Sequence, residues 1–401
     1  MATPLLSVEE AREILLSHAR TASAVESAPL DEADGRVLAE DIVSRITQPP
    51  FSASAMDGYA VRAADIGPHG AELSLVGEVA AGAMPDIAVT PGTAMRIFTG
   101  APVPEGADSV VMQENTETRG DRRVFIATAP EAGANIRKAG QDFKAGDVLL
   151  KRGRTLDARA LSVAAACGHG HVRVLRRPRV AILATGNELV SPGTLPGPGQ
   201  ISASGNIAIL ALARANGAET IDLGIARDRE EDIQDAVERA RRADADILIT
   251  IGGASVGDHD LIQPTLSGLG MALDFWKVAM RPGKPLMVGR LDEMQVLGLP
   301  GNPASSFVCA LLFAEPLIRR IGGLKARERQ RQAIAGHALE ANGPRQHYMR
   351  ARLSADGRAE TFESQDSSLQ VTLAEADCLI VRPPHAEAAE AGEPVAIMLL
   401  G

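Results

Sequence analysis

The sequence predicts a multidomain α/β and β protein: a three-layer α/β domain with a mostly parallel sheet, a β-rich inserted domain, a small helical domain and a small C-terminal all-β domain. Three observations carry that expectation. From Arg179 onward, near-continuous aliphatic runs alternate with segments of helical period, as in a parallel sheet buried on both faces. Over residues 51–137, short β-type runs such as Leu73-Ser74-Leu75-Val76 and Val110-Val111-Met112 alternate with Gly/Pro turns. After Gly322-Gly323 the helical period stops and short alternating segments take over, at 347–353 and 378–381 among others.

In chain order, Ser7 and Glu10 form an S-x-x-E capping box, and Val8, Ala11, Ile14, Leu15 and His18 then recur at helical spacing. Asp157 caps a second helix running through Leu161 and Ala165 to Gly168. Both helices are assigned to one helical domain, 1–50 plus 138–177, interrupted by the β-rich insertion 51–137. In the α/β domain, 178–325, a strand at 180–184 leads to a helix at 203–216 that Gly217 ends. A strand at 220–223 follows, then an amphipathic helix at 229–243 with Ile233, Val237 and Ala240 on one face. Next come a strand at 246–251, a helix from 260, strands near 273–279 and 295–299, and a long helix from Asn302. Asn302 as N-cap before Pro303 is a strong helix start. The Pro/Gly-dense stretch 191–199 reads as a surface loop, and 326–401 as the C-terminal β domain.

A chain of 401 residues with 45% hydrophobic residues can fill several cores, but aromatics are 3%, so those cores rest on Ala, Val, Leu and Ile. Charge sums to 41 − 51 = −10, which argues against nucleic acid or an anionic membrane as the main partner. Any anion it binds must meet cations concentrated locally. Cys167, Cys309 and Cys378 are far apart and set in apolar surroundings, the pattern of buried, inert thiols in a reducing cytoplasm. The N-terminus lacks a basic segment followed by an apolar core, and no apolar stretch reaches the ~20 residues that span a bilayer. A soluble, cytoplasmic protein is expected.

Candidate chemistry concentrates at the strand ends. Three apolar runs end in glycine-bearing loops: Thr185-Gly186-Asn187-Glu188, Gly252-Gly253-Ala254-Ser255-Val256-Gly257-Asp258, and Pro300-Gly301-Asn302-Pro303. In an open α/β sheet ligands sit outside the carboxyl ends of the strands, where such loops offer backbone N–H groups to an anion. A phosphate-bearing substrate follows. Glu188, Asp228, Asp258 and Asp260 each read alone as a loop carboxylate or a cap; together they suit Mg²⁺, which takes one or two carboxylates plus water and substrate phosphate. The turn Arg281-Pro282-Gly283-Lys284-Pro285 aims two cations from an irregular backbone, as a multiply charged oxyanion requires. Ser305 and Ser306, in the first turn after Asn302, offer hydroxyls to an anion or simply cap the helix. No P-loop, dinucleotide fingerprint, Ser–His–Asp, H-E-x-x-H or C-x-x-C arrangement is present.

These segments together resemble the molybdopterin molybdenumtransferase family (MoeA and the gephyrin E domain). The strings that carry the resemblance are SAMDGYAVR at 54–62, TGAPVP at 99–104, GADSVVMQE at 106–114, GGASVGDHD at 252–260, RPGKP at 281–285 and LPGNPASS at 299–306, in the family's order. The resemblance implies an elongated four-domain homodimer with a barrel-like C-terminal domain. It implies a reaction in which adenylylated molybdopterin and molybdate, with Mg²⁺, yield AMP and the molybdenum cofactor. By position, Arg281, Lys284, Pro285, one of Ser305 and Ser306, Arg350, and Ser367 or Ser368 would hold molybdate, and Gly252, Gly253 and Ser255 the pterin phosphate. Glu188, Asp228, Asp258 and Asp260 would place Mg²⁺, with Asp57, Thr99 and Asp142 contributed to the catalytic set across the dimer. A molybdopterin-adenylating protein and apo-molybdoenzymes or their chaperones would be the partners. Two positions depart from the family's usual pattern: Asn187 stands where an aspartate is usual, and Arg281 where lysine is frequent. Two rival readings share the α/β domain. An adenylyltransferase of this kind is small and lacks the segment bearing SAMDGYAVR. A gephyrin-like scaffold has no need of Arg281, Lys284, Asp228 and Asp260.

Overall fold

The computed structural model describes residues 5–253 and 261–401 and divides into two compact units. One comprises residues up to 26, 35–37 and 175–401; the other comprises 27–34 and 38–174.

In the first unit, α1 (Val8–His18) begins at the capping box: Ser7 accepts from the Glu10 N–H, and the Glu10 carboxylate accepts from the Ser7 N–H. The α/β sheet is built from β1 (Arg179–Thr185), β2 (Glu219–Ala226), β3 (Ile247–Ile251), β4 (Ala272–Phe275), β5 (Met287–Leu291) and β6 (Met294–Leu299), with helices α2 (Ser204–Ala215) and α3 (Glu230–Arg242) between the early strands. Strand order is β2-β1-β3-β6-β5-β4; the first four are parallel and the last two pairings antiparallel.

Burial follows the strand period of two on both faces. Val180, Ile182, Ile247, Ile249, Leu297 and Leu299 enter one core, which α2 and the helical segment 303–321 cover. Ala181, Leu183, Leu248 and Val296 enter the other, covered by α3 and α4 (Ile262–Gly268). This double coverage is why the strands read as unbroken aliphatic runs.

The hairpin β5–β6 was not expected. The aliphatic pattern predicts one strand near 273–279, whereas β4 ends at Phe275 and a further strand forms at Met287–Leu291. The hairpin turn, Asp292-Glu293, lacks the glycine that marks most two-residue hairpins, and Asp292 itself takes the left-handed conformation at φ 57°.

The C-terminal region is a closed barrel. Strands β7 (Gln330–Ala335), β8 (Gln346–Leu353), β9 (Arg358–Thr361), β10 (Cys378–Arg382) and β11 (Pro394–Leu399) pair in the ring β8-β9-β7-β11-β10, and β10 returns to β8. The two-residue strand Met280–Arg281 joins its rim by pairing with Gln346 and His347.

The second unit holds a six-stranded sheet in the order 109–112, 58–61, 93–97, 71–79, 123–126, 116–118, with an apolar cluster on each face. Beside it a smaller core gathers Leu38, Ile42, Phe143, Leu156, Ala160 and Val174 around the helix Ala158–Ala166, whose Asp157 cap accepts from the Ala160 N–H.

Two features differ from a helical domain of 1–50 plus 138–177. Val8, Ala11 and Leu15 of α1 pack into the core of the α/β sheet, and the 138–174 segment contains one helix among short strands. Helical period specifies a buried stripe but not the surface that buries it. All three cysteines are buried and unpaired; burial raises each thiol, that of Cys378 to about 11. No helix among the described residues is long and apolar enough to cross a membrane.

Candidate functional site

Strands β1 and β2 wind outward with α2 on one face, whereas the crossover from β2 to β3 passes over β1 with α3 on the other. The direction of winding reverses between β1 and β3, and there a crevice opens outside the carboxyl ends of the strands. A cavity of about 1000 Å³ occupies that place.

Its walls are the predicted loops. Gly186 and Glu188 follow β1, Asp228 follows β2, Gly252 and Gly253 follow β3, and Pro300 to Pro303 follow β6. Pro285 and Ser368 also reach it. The first turn of the twelve-residue α2, Ser204, Gly205 and Asn206, points its N-terminal end into the same space, where backbone N–H groups and the helix dipole favour an anion. Asn206 donates to the Gly224 carbonyl, while its own carbonyl oxygen is buried with no partner among the described residues.

Two backbone features make the loops possible. Gly252 sits at φ 94°, and a Cβ there would lie 2.6 Å from the Thr185 carbonyl oxygen. Gly283 sits at φ 97°, where a Cβ would lie 2.4 Å from Cys309 Sγ. A Gly252→Ala variant therefore loses about 1–3 kcal/mol of stability, measurable as a lower urea midpoint at unchanged m-value.

Asn187 and Asp228 hold each other. The Asn187 N–H donates to Asp228 Oδ2 at 3.2 Å, and the Asp228 N–H donates to Asn187 Oδ1 at 3.2 Å. Arg227 clamps the same loop through the Asn187 carbonyl at 2.7 Å. An amide at 187 thus satisfies the Asp228 backbone without setting a second carboxylate beside the first.

The segment 365–370 fixes the opposite wall. The Ala304 N–H donates to the Ser367 carbonyl, Asn302 Nδ2 donates to Ser367 Oγ, and Gln370 Nε2 donates to Ser204 Oγ. Ser368 donates through both its N–H and its hydroxyl to Asp366, which holds the Asp366 carboxyl below its usual range. Arg350, only 2% exposed, donates from Nη1 to the Leu369 carbonyl, and Gln365 bridges the Arg350 backbone at both its N–H and its carbonyl.

Asn302 adopts N-cap backbone angles, but its side chain serves Ser367 instead of capping the helix Pro303–Cys309. The Ser306 hydroxyl donates to the Pro303 carbonyl, and Ser306 lines a neighbouring apolar cavity, not the main one. Ser305 is buried and lines neither cavity.

Arg281 and Lys284 are exposed on their turn, outside the lining of the main cavity. Arg281 is in register with His347, and burial first, then the charges of Arg281, Arg345 and Arg350, press the His347 imidazole down to about 4. Burial is the larger cause; the three arginines add to it and make this rim locally cationic in an acidic protein. The depression also sets a pH dependence. The folded state resists protonating His347 while the unfolded chain does not, so stability falls as pH drops from about 6.5 towards 4. A His347→Gln variant loses less melting temperature than the parent across that window.

In the second unit, Asp57 Oδ1 accepts from the Thr99 N–H and hydroxyl, each at 2.8 Å; these bonds, with Arg96 nearby, keep the Asp57 carboxyl low and ionised. Asp142 is exposed, its N–H donating to the Gln48 carbonyl. Ser255, Asp258 and Asp260 lie outside the described residues. Sequence reasoning missed Ser204, Gly205, Asn206 and Gln370. The first three carried a usable signal, a Ser-Gly-Asn helix start after a strand-end loop; Gln370 carried none.

Family models match along the chain: the MoeA N-terminal region (domains I and II) at 6–168, a probable molybdopterin binding domain at 181–320, and the MoeA C-terminal region (domain IV) at 332–400. The chain is 38% identical to a molybdopterin molybdenumtransferase of Nostoc sp., over 99% of this chain and 94% of the relative. To the Haemophilus influenzae protein of the same name it is 35% identical, over 98% of both. Two solved structures of the molybdopterin biosynthesis MoeA protein of Pyrococcus horikoshii superpose with TM-scores of 0.86 and 0.82 at 30% and 29% identity, each over 99% of this chain and 100% of the other.

Proposed function

The chain belongs to the molybdopterin molybdenumtransferase family and is a transferase of molybdenum cofactor biosynthesis; from that premise we propose that it converts adenylylated molybdopterin and molybdate, with Mg²⁺, into AMP and the molybdenum cofactor. The observation that carries this reading is the cavity at the sheet's switch point. There an α2 N-terminus and paired glycines suited to phosphate face the carboxylates Glu188 and Asp228.

Those two acids fit a Mg²⁺ that takes its remaining ligands from water and substrate phosphate, although no cluster of three or more His, Cys, Asp or Glu suited to a metal occurs among the described residues. Bound there, Mg²⁺ would supply charge stabilisation to phosphate oxygens. The protein's own part is positioning. Asn187 and Arg227 fix the Asp228 loop, and Gly252 and Gly253 let the backbone approach the phosphates. Arg281, Lys284 and the buried Arg350 supply the cationic surroundings for molybdate, a doubly charged oxyanion. Asp57, Thr99 and Asp142 would be contributed by a second copy in a homodimer. A cytoplasmic location, delivery by an adenylating protein and transfer to apo-molybdoenzymes or their chaperones complete the reading.

The test is reconstitution. The purified protein, given adenylylated molybdopterin, molybdate and Mg²⁺, should restore activity to a cofactor-free molybdoenzyme; restoration without molybdate, or none with it, would contradict the reading.

A further inference from the structure

Arg96 lies on the strand 93–97, in register with Tyr59 of the strand 58–61. Its guanidinium donates from Nη1 to the Gly58 carbonyl at 3.2 Å and from Nη2 to Gln113 Oε1. The Tyr59 ring centroid lies 5.0 Å from its central carbon and the Phe98 centroid 4.9 Å, so two rings of an aromatic-poor chain flank one cation. Each of these partners adjoins the Asp57–Thr99 pair. Gly58 and Tyr59 follow Asp57, Phe98 precedes Thr99, and the Gln113 N–H donates to the Asp57 carbonyl at 3.1 Å. One side chain thus ties together the backbone at 57–59, 98–99 and 113, whose relative placement lets Asp57 Oδ1 accept twice from Thr99.

We propose that Arg96 is a positioning residue for Asp57, holding its carboxylate against Thr99 in one orientation; the inference rests on the reading above, in which Asp57 and Thr99 belong to the catalytic set. Asp57 and Thr99 are both exposed, whereas Arg96 and Phe98 are half-buried and Tyr59 is buried beneath them. An exposed hydrogen bond exchanges readily with water and contributes little by itself. The pair therefore depends on the backbone under it, and that backbone is what Arg96 fastens. Both acceptors of the guanidinium are neutral, so its role is not that of an ion-pair partner. The fork reaches two acceptors at once and its flat faces pack between rings. A lysine would keep the charge and supply neither.

The experiment is carbon-13 titration of the Asp57 carboxyl in the full chain, its resonance assigned by its loss in Asp57→Asn, alongside AMP release from adenylylated molybdopterin. In the parent the Thr99 bonds, more than the Arg96 charge, hold this carboxyl low. Arg96→Met and Arg96→Lys should both raise the midpoint towards the ordinary carboxylate range, because both release those bonds. Both should slow AMP release about tenfold or more. In an Asp57→Asn background either substitution should slow release by less than about twofold further, since the two residues act as one unit. A midpoint that rises in Arg96→Met but not in Arg96→Lys would show charge acting alone and overturn the positioning role. So would a midpoint unmoved in both, or an equal loss of rate with and without Asp57, each the mark of a general contribution to folding. Should neither Arg96 variant fold, Gln113→Ala decides, because it removes one exposed acceptor of the same fork: the midpoint rises, or the proposal falls. If the midpoint moves while neither Asp57→Asn nor the Arg96 variants slow release, the positioning stands and Asp57 leaves the catalytic set. If Asp57→Asn abolishes release while the Arg96 variants change neither midpoint nor rate, the reaction stands and the positioning falls.

Discussion

Asp228→Asn lowers molybdate-dependent AMP release by about a hundredfold, with the melting temperature unchanged. Asp228 is exposed at the end of β2, so the substitution exposes no cavity and breaks no core contact. What it removes is one of the two carboxylates that line the polar cavity among the described residues. An electrostatic contribution of about 2.7 kcal/mol to the transition state corresponds to that hundredfold, the size found where a single charge-stabilising group is lost. The amide still accepts from the Asn187 N–H, so the loop keeps its shape and the loss reads charge. Rescue by raised Mg²⁺ would mark the effect as weakened metal affinity. Unchanged release would remove Asp228 from the site.

Arg329→Leu destabilises the first unit by about 3–5 kcal/mol, the largest expected effect on folding. Glu315, within the helical segment that covers the α/β sheet, and Arg329, just before β7, are both nearly inaccessible. The guanidinium donates from Nε to Glu315 Oε1 at 2.9 Å and from Nη2 to Oε2 at 2.8 Å, and Nη1 donates to the Leu399 carbonyl of β11. Burial by itself would raise the Glu315 carboxyl, but the Arg329 bonds and charge outweigh it and hold the group below its usual range. Removing Arg329 leaves a buried carboxylate whose remaining side-chain donor among the described residues is Asn216 Nδ2 at 3.3 Å. The double variant Glu315→Met/Arg329→Leu should recover most of the loss, because the cost lies in the stranded charge and not in the missing pair. Urea unfolding of the three variants checks both statements.

The strand-end loops were legible because burial on both faces writes a parallel strand as an aliphatic run, and a run that stops at Thr185-Gly186 or Gly252-Gly253 marks its carboxyl end. That reasoning picked out Glu188, Asp228, Gly252 and Gly253, the family resemblance added Pro285 and Ser368, and all six line one cavity. Other positions were set by tertiary contacts that leave no local trace. Asn302 has the sequence of an N-cap, yet Ser367, sixty-five residues away, takes its side chain. Ser306 turns inward to Pro303, and Gln370 reaches Ser204 across 166 residues. The β5–β6 hairpin escaped because Asp292 supplies the left-handed residue without a glycine.

The most direct measurement of the central claim is AMP released from adenylylated molybdopterin by the purified protein, followed with and without molybdate and with and without Mg²⁺. The account expects release that requires both, one AMP for each cofactor formed. Release at the same rate without molybdate, or no release from a folded protein that binds the substrate, would contradict it.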